Sequence, residues 1–401
     1  MSIVKALNRI KNHSKLGLII LIYVAFVALG MPDGLLGVAW PSIRGSFAIP
    51  LDALGSLLFI TTAGYLLSSF LSGRLIALLG VGRMLALSCA LTGAALIGYT
   101  LVPSWWMMVS LGILAGLGAG AIDAGLNTYV AAHFGEGLMQ WLHASFGIGV
   151  TSGPFIMTIA LNTFNSWRVG YVTVSGVQFL LAACFVLTLP MWIQNDGPTP
   201  AGKPVRLTDY RTPLGETLRQ PRVWLSLLQF LLYTGSEIAL GAWAYTLLTE
   251  SRGVGPEQAG LLTGSYWGMF TVSRVIAGLY AKRVGVKVLV LSSLTGASLG
   301  AALLWWNPAP VANLVGVGVI GFAIAPIFPA LVSGTSHRVG PRFAANAIGM
   351  QIAAAGLGGA SIPSLIGVLA RHISLEVIPI CLFALFAVQI GLYWAGEANP
   401  P

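Results

Sequence analysis

Charged residues are scarce in this chain: 8% of 401 positions, where a soluble domain carries about 25%. A chain so poor in charge cannot build a water-facing surface of ordinary size. Cysteine is nearly absent. Cys89, Cys184 and Cys381 fall inside apolar segments, too far apart for a CxxC or metal motif, and read as small core residues. No G-x-x-x-x-G-K-[ST] loop occurs, which argues against an ATP-driven pump. Nor is there a nucleophile–base set or a ligand cluster of metal spacing; His133, His337 and His372 stand isolated at the ends of apolar runs. The expectation is therefore no enzyme, no metal and no cofactor. The basic start (Lys5, Arg9, Lys11, Lys15) runs into a long span with no small-residue cleavage site, so no cleavable signal peptide is expected.

What is present is apolar length. Hydrophobic residues make up 56% of the chain and mean hydropathy is +0.84. Long apolar runs point to membrane helices rather than a β-barrel, and fifty glycines suit their close packing. Twelve spans are predicted, at 16–41, 52–72, 83–102, 105–131, 141–162, 168–193, 222–249, 256–280, 287–306, 310–333, 343–370 and 373–396. Each crosses about 30 Å of hydrocarbon at about 1.5 Å per residue. The segment 194–221, with Pro198, Pro200, Pro204 and Pro213 and a run of basic residues, is the linker between two halves, 1–193 and 222–401.

The formal net charge of +9 does not point to nucleic acid, because its position is that of a topology signal. With the N-terminus inside, the inner side holds Lys5, Arg9, Lys11, Lys15, Arg74, Arg83, Lys203, Arg206, Arg211, Arg219, Arg222, Lys282, Arg283, Lys287, Arg338 and Arg342. The outer side holds Arg44, Arg168, Arg252 and Arg371, so the distribution is sixteen against four. Both termini are expected in the cytoplasm of a multi-pass protein of the cell (inner) membrane. The halves also repeat: Asp52, Gly55, Gly73 and Gly80 recur 205 residues later as Glu257, Gly260, Gly278 and Gly285. Six helices twice, in parallel repeat, put a solute site between the halves near the bilayer midplane. The fold class is thus an all-α membrane protein of twelve transmembrane helices in two six-helix bundles.

The few charged groups inside spans are Asp33, Asp123, Glu237 and Arg274. An acid there costs roughly 2.5–3.5 kcal/mol on insertion scales, which marks it for function or for a specific polar partner. Desolvation disfavours the charged form of a carboxylate, so changing hydration moves its proton. Asp123 sits among Gly116, Gly118, Gly120 and Gly125, with Asn127 one turn on; it is the first candidate for proton coupling, with a structural hydrogen bond as the alternative. Asp33 follows Pro32 between Gly30 and Gly34. A broken helix is expected there, with Asp33 either binding solute, proton or cation, or capping the outer half-helix. Glu237, with Tyr233, Trp243 and Tyr245 nearby, suits a polyol: the acid accepts hydroxyl hydrogens and a ring covers the C–H face. Arg274 either pairs with an acid during gating, binds an anionic solute, or reaches the membrane interface. Asn127, Gln229, Tyr266, Trp267, Asn346 and Gln351 complete the candidate solute site. Pro326 and Pro329 in span ten predict a hinge. His143, beside Trp141, is either a titrating group or a hydrogen-bonded structural one.

The segment GRLIALLGVGRML (73–85) is similar to the G-x-L-x-D-R-x-G-R signature of the major facilitator superfamily, through Gly73, Leu75, Gly80 and Arg83. Its acid and first arginine fall on Ala77 and Leu78. A second copy, GLYAKRVGVK (278–287), keeps Gly278, Arg283 and Gly285, with Lys282 at the acid position. In that family the loop joins the halves in the outward-open state, so Gly73, Gly80, Arg83, Gly278, Arg283, Gly285 and Arg274 are the candidate gating residues. GMPDGLLGVAWPSIRGSF (30–47) and LHASFGIGVTSGP (142–154) resemble the first and fifth spans of fucose permease-like symporters. YTGSEIALGAWAYTLLTE (233–250) resembles the seventh span of the branch holding sodium-dependent glucose transporters. Fucose permeases use an acid in span one and another in span four, the spans that hold Asp33 and Asp123 here. The resemblance implies alternating access, with spans one, four, seven and ten lining the cavity. The leading expectation is a monomeric secondary transporter moving a sugar or polyol with H+, or with Na+. The alternatives are a proton-coupled exporter of drugs or amphipathic metabolites, and a solute-binding membrane receptor that does not transport.

Overall fold

The computed structural model describes residues 2–133, 136–193 and 213–397. These are helical throughout, with no strand among them. The linker residues 194–212, including Lys203, Arg206 and Arg211, lie outside the described residues.

Twelve long helices follow in order: α1 (Ser2–Phe47), α2 (Leu54–Leu79), α3 (Val81–Leu101), α4 (Trp105–His133), α5 (Glu136–Phe164), α6 (Trp167–Leu187), α7 (Pro221–Thr246), α8 (Pro256–Val284), α9 (Val286–Trp306), α10 (Val311–Ile324 and Ile327–Ser333), α11 (Pro341–His372) and α12 (Val377–Glu397). Eleven of these segments are long and apolar enough to cross a membrane. The twelfth, α8, has the length at 29 residues but carries Ser265, Tyr266, Thr271, Ser273 and Arg274. Its polarity suits a helix that faces protein and a cleft rather than lipid.

The repeat seen in sequence is visible as packing. In the first six helices α1 lies on α5, α2 on α4, and α3 on α4 and α6; in the second six α7 lies on α11, α8 on α10, and α9 on α10 and α12. The backbone repeats as well. Gly80 and Gly285 turn the chain between successive helices at φ 74° and 81°, a region where an L side chain is strained.

Two proline expectations come out differently. The helix does not break at Pro32: α1 runs unbroken through Pro32 and Pro41, and Asp33 is therefore not an N-cap. Gly30 and Gly34 lay this stretch of α1 directly on the backbone of α5 near Phe146 and Val150. Packing of this kind holds a proline-containing membrane helix straight when neighbours support it. In α10 the chain does interrupt, between Ile324 and Ile327 at Pro326. The carbonyls freed there take side-chain donors: Tyr233 Oη lies 3.2 Å from the Ile324 oxygen and Arg274 Nε 3.4 Å from the Ala325 oxygen.

The halves meet through α1 with α7, α2 with α11, and α5 with α8. Named contacts join the halves at several points. Thr151 of α5 shares a hydrogen bond of 3.2 Å with Thr271 of α8, Gly55 of α2 faces Ser364 of α11, and Gly37 of α1 faces the backbone of Gly241 in α7. Two ion pairs close the rim: Arg44 to Glu250 at 2.7 Å and Arg371 to Asp52 at 2.9 Å. Each joins one half to the other. Arg44 and Glu250 are about 30% exposed (29% and 31%), and exposed pairs contribute about 0–1 kcal/mol. A double-mutant cycle on Arg44→Ala and Glu250→Ala is expected to give a coupling within that range, read as the midpoint of thermal unfolding. A coupling several times larger would show that the pair is shielded from water.

Candidate functional site

The glycine run of α4 sets the position of the first acid. Gly116 and Gly120 lie on α2 at Thr61, Tyr65 and Ser68, while Gly118 and Gly125 lie on α3 at Ser88 and Met84. With both neighbours drawn close, Asp123 is carried to the side of Tyr65. The Tyr65 hydroxyl donates to Oδ2 of Asp123. From one turn further along α4, Asn127 Nδ2 donates to Oδ1 at 2.8 Å and to the Asp123 carbonyl at 3.0 Å. Both carboxylate oxygens are thus addressed by neutral donors, and no cation is paired with them among the described residues.

Asp33 of α1 lies near enough for its charge and that of Asp123 to act on each other, and both act on Tyr65. Asp33 keeps accessible surface at this depth. It lies one turn before Gly37 along α1, and Gly37 meets Gly241 of the other half.

The same construction recurs in the second half. Glu237 and Gly241 of α7 are also four apart, and it is the Gly241 carbonyl that Gly37 approaches. The pair Glu237/Gly241 lies 204 residues after Asp33/Gly37, close to the 205-residue repeat. The two acids are repeat-equivalents set either side of one helix crossing. Sequence analysis missed this correspondence, although D-x-x-x-G and E-x-x-x-G at the repeat offset was the available signal. Glu237 is 8% exposed. The Tyr233 hydroxyl is in reach of its carboxylate, and the Tyr266 hydroxyl donates to its backbone carbonyl at 2.8 Å.

Arg274 completes this side. Gly260, Gly264, Gly268 and Thr271 form the stripe of α8 that meets α5, and Arg274 lies three residues further along it. Its guanidinium lies 4.2 Å over the Phe270 ring, and its charge acts on Glu237, Tyr233 and Tyr266 and, across the cleft, on His143 of α5.

The other sequence candidates are dispersed. Trp243 is 0% exposed and donates to the Pro363 carbonyl at 2.9 Å, so it seals α7 against α11 and does not line a cavity. Tyr266 and Trp267 are buried, with ring centroids 4.7 Å apart and Trp267 over Gly241. Gln351 is 0% exposed; it donates to Ser226 at 2.6 Å and accepts from Thr335 at 3.0 Å, inside the second half. Asn346 donates to Thr217 Oγ1 at 3.0 Å, on the short helix Leu214–Leu218 that leads into α7. Gln229 is 3% exposed and lines a small cavity near the start of α7, away from the acids. The physical reason is common to Trp243, Gln229, Gln351 and Asn346: α7 and α11 are enclosed on several sides, so a polar residue on either finds neighbours within the second half. In the signature loops Arg83 and Arg283 are exposed, and neither is in an ion pair among the described residues.

Away from these acids, Arg252 is 5% exposed and gathers the loops of the second half. It donates to Glu376 at 2.6 Å, to Asn313 Oδ1 at 2.5 Å and to the Leu304 carbonyl at 2.8 Å. The hydrogen bond from Arg252 holds the Glu376 carboxyl below the usual glutamate range. A depressed carboxyl contributes stability that is present above its unfolded value and is lost as pH falls through its folded one. Acid unfolding of the wild type is expected to include this loss below about pH 4.5, near the free glutamate value. Glu376→Gln should remove that limb, so an unchanged acid-unfolding profile in the variant would refute the assignment.

The arrangement offers two carboxylates with hydroxyl and amide company in the first half, an acid and an arginine in the second, and two ion pairs that join the halves. Comparison with known proteins agrees with this architecture. The chain is 24% identical to the glucose/mannose transporter GlcP of Bacillus subtilis over 356 residues, covering 86% of each protein. It is 22% identical to sodium-dependent glucose transporter 1 of Danio rerio, covering 87% of this chain and 64% of that one. Among solved structures, the nucleoside transporter NupG superposes with a TM-score of 0.77 at 14% identity, covering 94% and 98% of the two chains. A bacterial homologue of the human lysosomal transporter Spinster superposes with a TM-score of 0.74 at 11% identity, covering 96% and 97%; these two likenesses concern the fold. A profile of the Major Facilitator Superfamily matches residues 22–363 and 225–401, and the chain belongs to that superfamily of membrane transporters.

Proposed function

We propose that the protein is a secondary active transporter that moves a sugar or polyol by alternating access, driven by H+ or, as the second choice, by Na+. The observation that carries this is Asp123 of α4 held by the neutral donors Tyr65 and Asn127, with Asp33 of α1 within electrostatic reach. Two carboxylates without a protein cation hold either a shared proton or a small cation, and both change the charge of the cleft. Glu237 on the facing half adds an acceptor for solute hydroxyls, with Tyr233 and Arg274 beside it. The sugar-transporting relatives support the choice of solute. Both termini in the cytoplasm, insertion in the cell (inner) membrane and a monomeric state belong to the same proposal, the first two resting on the distribution of lysine and arginine.

Reconstituted protein should accumulate labelled hexose when a pH step or a sodium step is imposed, and the two steps applied separately identify the ion. Accumulation with neither step, or efflux of lipophilic cations with no effect of sugars on thermal stability, would set this function aside in favour of export.

A further inference from the structure

A groove of about 510 Å³ opens on the surface where the chain enters α7, lined by Leu218, Arg219, Pro221, Trp224, Leu225 and Leu228. It shares no residue with the acids: Glu237 follows Leu228 by nine residues, about 13 Å along the helix. The groove crosses a boundary of polarity. The apolar span begins at Pro221, so Leu218 and Arg219 lie before it while Trp224, Leu225 and Leu228 lie within it. Leu218, Trp224 and Leu228 are 37%, 55% and 41% exposed, so the apolar wall is open along its length. The Trp224 indole N–H donates to the Leu218 carbonyl at 2.8 Å, which fixes the ring across the turn between the short helix Leu214–Leu218 and α7. Arg219 is exposed and makes no hydrogen bond or ion pair among the described residues. Glu216 of the short helix is already paired with Arg342, and no acid lines the groove.

We propose that this groove holds an anionic phospholipid, its phosphate on the Arg219 guanidinium and an acyl chain along Pro221, Trp224, Leu225 and Leu228. The order of polarity along the groove is that of a lipid: a cation outside the span, then an apolar wall inside it. At the depth of Leu225 and Leu228 the surrounding medium is hydrocarbon, so an acyl chain is the occupant at hand. A guanidinium binds phosphate through paired N–H donors, and tryptophan settles at headgroup level with its ring among the upper chain carbons. Net charge selects among lipids. A zwitterionic headgroup brings its own cation, which a lining without an acid cannot receive, whereas an anionic one brings only what Arg219 binds. The bound lipid braces the entry to α7. The short helix is tied to α11 by Asn346 to Thr217 at 3.0 Å and by Arg342 to Glu216, so a lipid spanning Arg219 and Leu228 fastens α7 to the same junction.

The test uses the full-length protein in detergent, with dioleoyl phosphatidylglycerol or dioleoyl phosphatidylcholine added at equal mole fraction. Phosphatidylglycerol should raise the midpoint of thermal unfolding by several degrees more than phosphatidylcholine, with a saturating dependence; this comparison is made on the wild type and stands even where a variant fails to fold. Arg219→Gln should weaken the apparent affinity for phosphatidylglycerol about fivefold and leave the response to phosphatidylcholine unchanged. Arg283→Gln removes the same charge at an exposed position outside the groove and should leave both responses unchanged. Phosphatidylglycerol with brominated chains should quench tryptophan fluorescence more in the wild type than in Trp224→Phe. Equal stabilisation by the two lipids, an equal loss of affinity in Arg283→Gln, or quenching that Trp224→Phe does not reduce would each overturn the proposal, leaving the groove to bulk lipid.

Discussion

Asp123→Asn is expected to abolish gradient-driven accumulation of solute while leaving exchange of labelled for unlabelled solute within a few-fold of wild type. Asparagine matches aspartate in volume and offers one oxygen, so the Tyr65 hydroxyl keeps an acceptor. Asn127 keeps its bond to the carbonyl of residue 123 at 3.0 Å. What the substitution removes is the capacity to take up a proton or balance a cation. One pH unit across the membrane is worth about 1.4 kcal/mol per proton, or about tenfold in accumulation. The wild type should therefore concentrate solute about tenfold per pH unit for each proton coupled, and the variant should equilibrate at unity. Tyr65→Phe is the informative control, because it takes away a donor and leaves the carboxylate; coupling should survive it. Wild-type accumulation in Asp123→Asn would remove this residue from the coupling mechanism.

Gly37→Val should stop turnover for a different reason. A Cβ on Gly37 overlaps the Gly241 carbonyl, and backbone cannot rotate out of the way as a side chain does. Closing the α1–α7 contact against an inserted side chain costs about 1–3 kcal/mol on the overpacking scale, a loss of roughly 5- to 150-fold in the population of the state that makes this contact. Transport should fall by at least the lower figure, and Gly37→Ala should fall between. The packing of α1 on α5 through Gly30 and Gly34 involves a different neighbour, so the first half should still fold. Hydrogen exchange at residues 38–47 and 242–251 should rise as the α1–α7 contact opens. Wild-type transport in Gly37→Val would show that the helices do not need this approach.

These two expectations draw on different sources of information. Asp123 stood out in the sequence because an acid in an apolar run is costly and conspicuous, and its glycine neighbours announced close helix packing. Asn127 one turn on was equally plain, since helical spacing alone brings the two together. Arg274 was conspicuous as a charge, but its place beside Phe270 and the carbonyl at the α10 break depended on how α8 and α10 pack. Pro32 promised a break that the support of α5 removes.

Composition, the spacing of apolar runs and the 205-residue repeat determined by themselves that the chain makes membrane helices in two alike sets of six, because each helix satisfies its own backbone and its apolar length must match the bilayer. Which polar residues share a site was decided only by the tertiary structure. A helix enclosed on several sides has no single inward face, so Gln351, Gln229, Asn346 and Trp243 went to other neighbours although their spans line a cleft. The contacts between the halves, Gly37 with Gly241 and Arg44 with Glu250, join residues about two hundred positions apart. No local pattern carries that information; it arises when two folded surfaces close on each other.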